Sequence, residues 1–507
     1  MEKIINQING VIWSPALICL CLLAGLFFSI ATRFAQARHF FEMFRLLIKP
    51  NTSAEGISSF QALAVSLSGR VGIGNIAGVA AAIGFGGPGA IFWMWVVAFL
   101  GASTAYIEST LAQIYKVTDT ETGEYRGGPA YYFEKCLGWK PYGILFAVAS
   151  IISCGLFLPG VQANGVANAI TEVFGTGEMI QTSIAGKVGV NTLISLAFIL
   201  ITLGFIIFGG IKRIAHFTQI IVPFMALGYI ILALIIVFIN INKVPEIFKL
   251  ILDNAFSFDA AMGAAIALGV KRGVYSNEAG QGTGPHAAGA AEVEHPSQQG
   301  LVQAFSVYID TLFVCSATAF MILITQTYNI VDAQGNFIVQ NVATNTIIDS
   351  PAFTQMALAT VFNHFGAVFV AIAVFFFAFT TILAYYYIAE TNIAYLSEKI
   401  GMGDLGIFLI KIIIMLSVAY GAVNQSGYVW KIGDIGVGLM AWLNIVGIIA
   451  LYFLAKPTIT ALRDYETQKA AGIKTYSFNP KALGIKNATF WEQRWQQQNS
   501  HQSINDD

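Results

Sequence analysis

Charge is scarce in this chain: only 11% of its 507 residues are Asp, Glu, Lys or Arg, far below the roughly 25% of an ordinary soluble domain. With 56% of the residues apolar, a soluble globule is excluded, because most of the surface has to face lipid. Neither sign of charge is in excess. Twenty-seven basic against 28 acidic residues leave a net charge of −1, so there is no global positive field to recruit nucleic acid. Cysteine is sparse and scattered: Cys19, Cys21, Cys136, Cys154 and Cys315 are odd in number and show no CxxC spacing, which excludes a zinc or redox motif and leaves them as small hydrophobes. His286, His295 and His364 lack metal-ligand spacing and read as loop or surface residues. No Ser/His/Asp, HExxH or P-loop arrangement is present, so neither enzyme chemistry nor an ATP-driven pump is indicated.

Long apolar stretches fill the chain instead. They recur from Val11 to Phe453, each about 18 to 25 residues, the length that crosses a hydrocarbon core of roughly 30 Å. The spans fall near 12–32, 58–84, 88–113, 142–172, 191–210, 215–240, 256–280, 301–325, 357–389, 404–423 and 429–455: an all-α integral membrane protein of about eleven transmembrane helices. Lys3 and the stretch 11–31 imitate a signal peptide, but that stretch runs into Arg33, Arg38, Arg45 and Lys49 rather than a small-residue cleavage site, and it reads as a retained first helix.

Basic residues gather at 33–49, 116–140, Lys212 and Arg213, Lys271 and Arg272, and after Lys456. These are alternate connections, so the positive-inside rule puts them in the cytoplasm, with the N-terminus outside and the C-terminus inside. The stretch 325–355 contains no Lys or Arg, and 171–191 only Lys187. The expected organisation is an extra N-terminal helix and cytoplasmic connection (1–56), a five-helix repeat (57–240), a second (241–455) and a cytoplasmic tail (456–507). The tail is rich in Gln, Asn and Lys and is expected to be partly disordered; its Asn487 sequon has no meaning on that side of the membrane.

Two spans are interrupted. Ser66-Leu-Ser-Gly-Arg-Val-Gly-Ile-Gly-Asn-Ile-Ala-Gly78 puts four glycines and Arg70 inside an apolar stretch, which disfavours a continuous helix. Broken backbone is tolerated in a bilayer only where it lines a cavity or is covered by protein. Helix N-termini freed in this way suit a substrate carboxylate, and unwound carbonyls suit a cation. The spacing Gly74 to Gly78 also serves close helix packing, and Gly72-x-Gly74-x-x-Ala77 imitates a dinucleotide fingerprint that lacks its preceding strand. The second interruption is expected in the small-residue piece that begins near Asp259, runs to Gly269 and leads into Val270 to Gly284. Interrupted segments opening two corresponding halves point to a 5+5 inverted repeat with a midplane site.

Three motifs resemble the alanine or glycine:cation symporter family: Gly69-Arg-Val-Gly-Ile-Gly-Asn-Ile-Ala-Gly-Val-Ala through Gly86-Gly-Pro-Gly-Ala-Ile-Phe-Trp-Met-Trp95; Gly269-Val-Lys-Arg-Gly-Val-Tyr-Ser-Asn-Glu-Ala-Gly280; and Phe377-Ala-Phe-Thr-Thr-Ile-Leu-Ala-Tyr385. The resemblance covers everything but the tail and implies a leucine-transporter-like fold. It implies a sodium site from the carbonyls of Ser68 and Val71 and the hydroxyls of Thr380 and Thr381. For substrate it implies that the amide hydrogens near Gly72 and Gly74 take the carboxylate, while Asn75, Gln162 and the backbone around Gly263 surround the amino group. Thr381 and Tyr385, four residues apart on one helix face, close the pocket. The family often carries glycine and tryptophan where this chain has Ala384 and Tyr385, a departure that alters the pocket wall.

Buried charge in a membrane is expensive and usually paired. Arg70 sits where the fold's other sodium site would lie, which points to one sodium per cycle with Arg70 paired to Asp310 or Glu108; Asp310 serves either as that partner or as a proton site. Asn277 and Glu278 fall at the cytoplasmic end of their span and suit an inner gate. The expectation is a monomeric, sodium-driven symporter for alanine or glycine in a bacterial inner membrane, working by alternating access with sodium as coupling ion and no other cofactor. The alternatives are glutamine or D-alanine as solute, proton coupling through Asp310, and, in another class, a channel or a non-transporting sensor.

Overall fold

The computed structural model describes residues 2–48, 56–182, 186–208, 210–257, 260–401 and 403–505; Lys49 and Asp259 lie outside them. Nine helices among the described residues are long and apolar enough to cross a membrane. They correspond to all the expected spans except 58–84 and 256–280, the two interrupted ones. Two spans present large apolar side chains outward, Phe205 at 78% and Phe224 at 81% exposure, as a lipid-facing wall requires. Short two-stranded hairpins, such as Met179–Thr182 with Gly186–Gly189, trim the connections.

The first interrupted span is three pieces: the helix Ser59–Arg70, a single 3₁₀ turn Ile73–Asn75 and the helix Ala77–Gly86. Its start is fixed by a capping box, in which Ser58 Oγ accepts from Gln61 N–H and Gln61 Oε1 accepts from Ser58 N–H; two of the free donors at the helix end are thereby satisfied. At Gly72 the chain is extended (φ −128°, ψ −155°), and the helix cannot continue through it.

The second interruption falls at the far end of its expected stretch, 259–284, and not in the small-residue piece that opens it. Residues 260–269 stay helical within Ala260–Asn277, because the alanines there favour helix strongly enough to carry the glycines. The break comes at 278–283, where Glu278 (φ +56°), Gly280 (φ +88°) and Gly282 (φ +79°) adopt left-handed backbone, before the short helix Gly284–Ala290. The two broken segments run antiparallel. Ile57 bridges Ala291 at one end, and Gly86 meets Ala264 and Leu268 at the other.

Around this pair, the helix Ala90–Ile114 packs on Ala260–Asn277, Gly284–Ala290 and Pro296–Val307, while Leu158–Phe174 packs on Ala352–Ile400 and Gly403–Val423. Two spans contain π-helical stretches, Ser153–Phe157 and Tyr308–Cys315, and such bulges in membrane helices often mark functional positions.

Lys271 and Arg272 do not sit in a connection. They lie inside Ala260–Asn277 against Asp434, a carboxylate far along the chain that neutralises them at depth. Among the described residues the tail carries two helices, Pro457–Ala470 and Thr489–Asn505, and Tyr465, Phe478 and Trp491 are buried. The tail covers one end of the molecule, the tail face.

Candidate functional site: the facing helix breaks

The break at Gly72 is held by side chains from three directions. Asn75 Oδ1 accepts from Gly72 N–H at 2.9 Å, and Gln162 Oε1 accepts from Ile73 N–H at 3.0 Å. Thr381 Oγ1 lies 2.6 Å from the Ser68 carbonyl and 2.8 Å from that of Phe377. A Cβ at Gly72 would stand 2.5 Å from Thr381 Oγ1 and 3.0 Å from Gln162 Oε1, so only glycine lets these groups converge. Two amide oxygens therefore hold the main-chain donors a substrate carboxylate needs, while a carbonyl and a hydroxyl offer hard oxygen to a cation.

The second break is clamped from the other side. Glu108 accepts from Asn444 Nδ2 at 2.7 Å and from Gly280 N–H at 3.4 Å, and Asn444 Nδ2 also reaches the Gly280 carbonyl at 3.0 Å. Glu278 Oε2 accepts from Thr283 Oγ1 at 2.9 Å, and Asn277 Oδ1 caps Ala279 N–H at 3.0 Å.

Asp310 ties the two breaks together from the π-helical stretch. Its carboxylate accepts from Asn75 Nδ2 at 2.6 Å, from Ser276 Oγ at 3.0 Å and from Thr311 Oγ1 at 2.7 Å. A buried carboxylate with this many donors is solvated by the protein itself.

Arg70 is paired with neither of its expected partners. The donors just named already satisfy Asp310 and Glu108, so the guanidinium turns to the Gln303 carbonyl at 3.1 Å and to Ser306 Oγ. Its Nε and Nη2 are buried without a hydrogen-bond partner, in the field of Glu278, Glu108 and Asp310. A Cβ on Gly284 would meet Nη2 at 2.6 Å, so Arg70 presses on the restart of the second broken segment.

Of the remaining sequence candidates, Thr380 turns its hydroxyl to its own helix, 2.8 Å from the Phe376 carbonyl, and not to Ser68 or Val71. Adjacent positions on a helix point about 100° apart, so one of the two threonines faces the break. Gly74 packs against Tyr275 and Tyr385 lies buried beside Glu278. Gly263 is exposed in the first turn of Ala260–Asn277, away from both breaks, because that helix does not unwind where the glycine stands. Two of the histidines are not surface residues. His286 is buried between Thr283 and Asn392, and His295 meets Asp464 at 3.1 Å.

Sequence reasoning missed Ser276, Asn444 and Asp434. Asp434 was the findable one, an acid inside the span 429–455 that requires a partner. Arg272 forks onto it at 3.0 and 2.9 Å, and Lys271 reaches it at 2.7 Å. The Arg272 guanidinium lies 4.7 Å over the Trp430 ring, which in turn contacts Tyr275. This layer covers the breaks on the side away from the tail, and Trp13 ties the N-terminal helices to it through the Asp434 carbonyl at 2.8 Å.

Known proteins share this arrangement's sequence along nearly the whole chain. A putative sodium/proton-dependent alanine carrier protein, YrbD of Bacillus subtilis (strain 168), is 54% identical over 501 residues, 98% of each chain. A probable sodium/glutamine symporter of the same organism, GlnT, is 40% identical over 93% of this chain and 92% of its own. The sodium/alanine symporter AgcS of Methanococcus maripaludis is 37% identical over 89% of this chain and 94% of its own. Residues 1–480 match the family pattern described as the sodium:alanine symporter family, and with relatives this similar over this much of their length, the chain belongs to that family.

Proposed function

We propose that the protein carries alanine, or a neutral amino acid of similar size, across the membrane together with sodium by alternating access. The observation that carries this reading is the convergence of Thr381 Oγ1 on the Ser68 carbonyl beside the Gly72 break. It puts hard cation ligands next to main-chain donors suited to a carboxylate. Sodium sits among the oxygens of Ser68, Val71 and Thr381, and the carboxylate takes over Gly72 and Ile73 N–H as Asn75 and Gln162 release them. Tyr385 and Gly74 wall the pocket.

Eleven spans in a 5+5 inverted arrangement, with the N-terminus outside and the tail in the cytoplasm of a bacterial cell, fit the antiparallel broken pair. The Lys271/Arg272/Asp434 layer is then the outer gate. The buried guanidinium of Arg70 beside the break supports one sodium per cycle. At roughly 2.3 kcal/mol per charge per 100 mV, the membrane potential alone supports about fiftyfold accumulation of a neutral solute.

The test is uptake of radiolabelled L-alanine into proteoliposomes under imposed sodium or proton gradients, with glycine, D-alanine and L-glutamine as competitors. Accumulation that needs the sodium gradient supports the reading; uptake indifferent to sodium overturns it. One observation favours a second reading: Asp310 is a buried carboxylate without a cation partner among the described residues, and YrbD is named for sodium and proton. On that reading Asp310 carries a proton, and uptake follows the proton gradient.

A further inference from the structure

Three contacts of the C-terminal segment converge on one short stretch of the chain, residues 291–295, which joins Gly284–Ala290 to Pro296–Val307. Arg494 Nη1 pairs with Glu292 at 2.5 Å, Tyr476 N–H donates to Glu294 at 3.1 Å, and Asp464 meets His295 at 3.1 Å. Tyr465 and Phe478 pack their rings on His295. Behind this stretch Gln113 and Lys116 both donate to the Ala291 carbonyl, at 2.9 and 2.8 Å. Each of them is fixed by the tail in turn. Trp491, fully buried, donates from Nε1 to the Gln113 carbonyl at 2.7 Å, and the Lys116 ammonium sits 4.2 Å from the Tyr125 ring, 4.5 Å from Phe490 and 5.5 Å from Trp491.

What the tail holds is the end of the short helix Gly284–Ala290, which follows the second break. Gly284 and Ala287 of the short helix enclose a small void beside Glu278, with Gly69 of the first broken segment and Ala384 and Tyr387 of Ala352–Ile400 as its other walls. One way to open that void into a path is for Gly284–Ala290 to move away from Ser59–Arg70, and residues 291–295, which continue the short helix, would move with it. The tail's opposite flank is tied elsewhere: Glu466 binds Arg38 at 2.6 Å and His39 at 2.9 Å, and Tyr465 OH donates to Glu42 at 3.1 Å. The tail thus straps the short helix to the connection following the first spans. Phe490, Trp491 and Arg494 lie past residue 480, where the family match stops.

We infer that residues 457–494 form a latch that keeps the tail-face mouth of the translocation path shut and must release before that face opens. The inference rests on the transport reading, since it needs a path to close, but its first test needs no transport. In membranes exposing the tail face, Ala287→Cys is labelled with an impermeant maleimide, counting reaction above that of the protein without this cysteine. Trp491→Ala with Arg494→Ala is expected to raise the labelling rate about tenfold, as loss of one buried aromatic anchor allows; an unchanged rate overturns the latch.

Should that variant fold poorly, the converse test uses Glu292→Cys with Arg494→Cys, joined by a short bismaleimide. Cross-linking is expected to stop alanine uptake while sodium-dependent alanine binding persists. Cross-linked protein that transports at the uncross-linked rate overturns the latch. Absence of sodium-driven uptake before cross-linking is a failure of the transport reading instead.

Discussion

Thr381 and Thr380 are chemically identical neighbours with different partners. The Thr381 hydroxyl reaches across to Ser68, whereas Thr380 returns to Phe376. Removing a buried hydrogen-bonding group whose partner stays behind costs about 1–3 kcal/mol. Thr381→Ala is therefore expected to raise the sodium concentration for half-maximal uptake by about tenfold or more, with Thr381→Ser close to the parent. Thr380→Ala leaves that concentration within about twofold, since such intrahelical bonds contribute little. Sodium titration of uptake separates the two, and equal effects would contradict the geometry. Gly72→Ala is a sharper case: its methyl would lie 2.5 Å from Thr381 Oγ1, and it is expected to abolish uptake even where the protein still reaches the membrane.

Between elements, the buried Arg272–Asp434 fork is the most demanding contact. Breaking a buried ion pair by removing one partner costs about 3–5 kcal/mol. Asp434→Asn strands two cations and is expected to lower the thermal midpoint in detergent more than either Arg272→Ala or Lys271→Ala. Lys271, at 17% side-chain exposure against 8% for Arg272, is the milder loss, and a reversed order would mean the fork is not what holds this layer.

The same fork shows where reading the sequence failed. Lys271 and Arg272 look like a connection because the acid that neutralises them is 162 positions further on. The first break, by contrast, was legible, because its four glycines and Arg70 cluster within residues 66–78, a composition that disfavours one continuous helix. The position of the second break within its stretch is set by distant partners. Glu108 and Asn444 grip Gly280, while the alanines of 260–269 keep their helix. Of the two adjacent hydroxyls, sequence supplied the pair, and only the rotation of the helix chose between them.

Across the molecule, the proposed sodium and substrate ligands share the Gly72 break, and coupling them to one conformational change needs a connection from that break to the second broken segment. Asp310 supplies one, since it holds Asn75 of the first break and Ser276 at the end of Ala260–Asn277. A rearrangement at Asn75, whose oxygen caps Gly72, is therefore felt at the second broken segment. Coupling between sites is reciprocal and typically about 5- to 150-fold in affinity. Alanine is thus expected to bind more tightly with sodium than without it, and sodium more tightly with alanine by the same factor. In Asp310→Asn the amide keeps the shape but no longer accepts at both positions, and Asn75 or Thr311 loses its acceptor. The expected result is alanine binding that survives at saturating sodium with a coupling factor reduced towards one. Calorimetric titration of alanine at zero and saturating sodium measures it directly. A factor unchanged in Asp310→Asn would place the coupling in another contact between the breaks, with Arg70 against Gly284 the next to test.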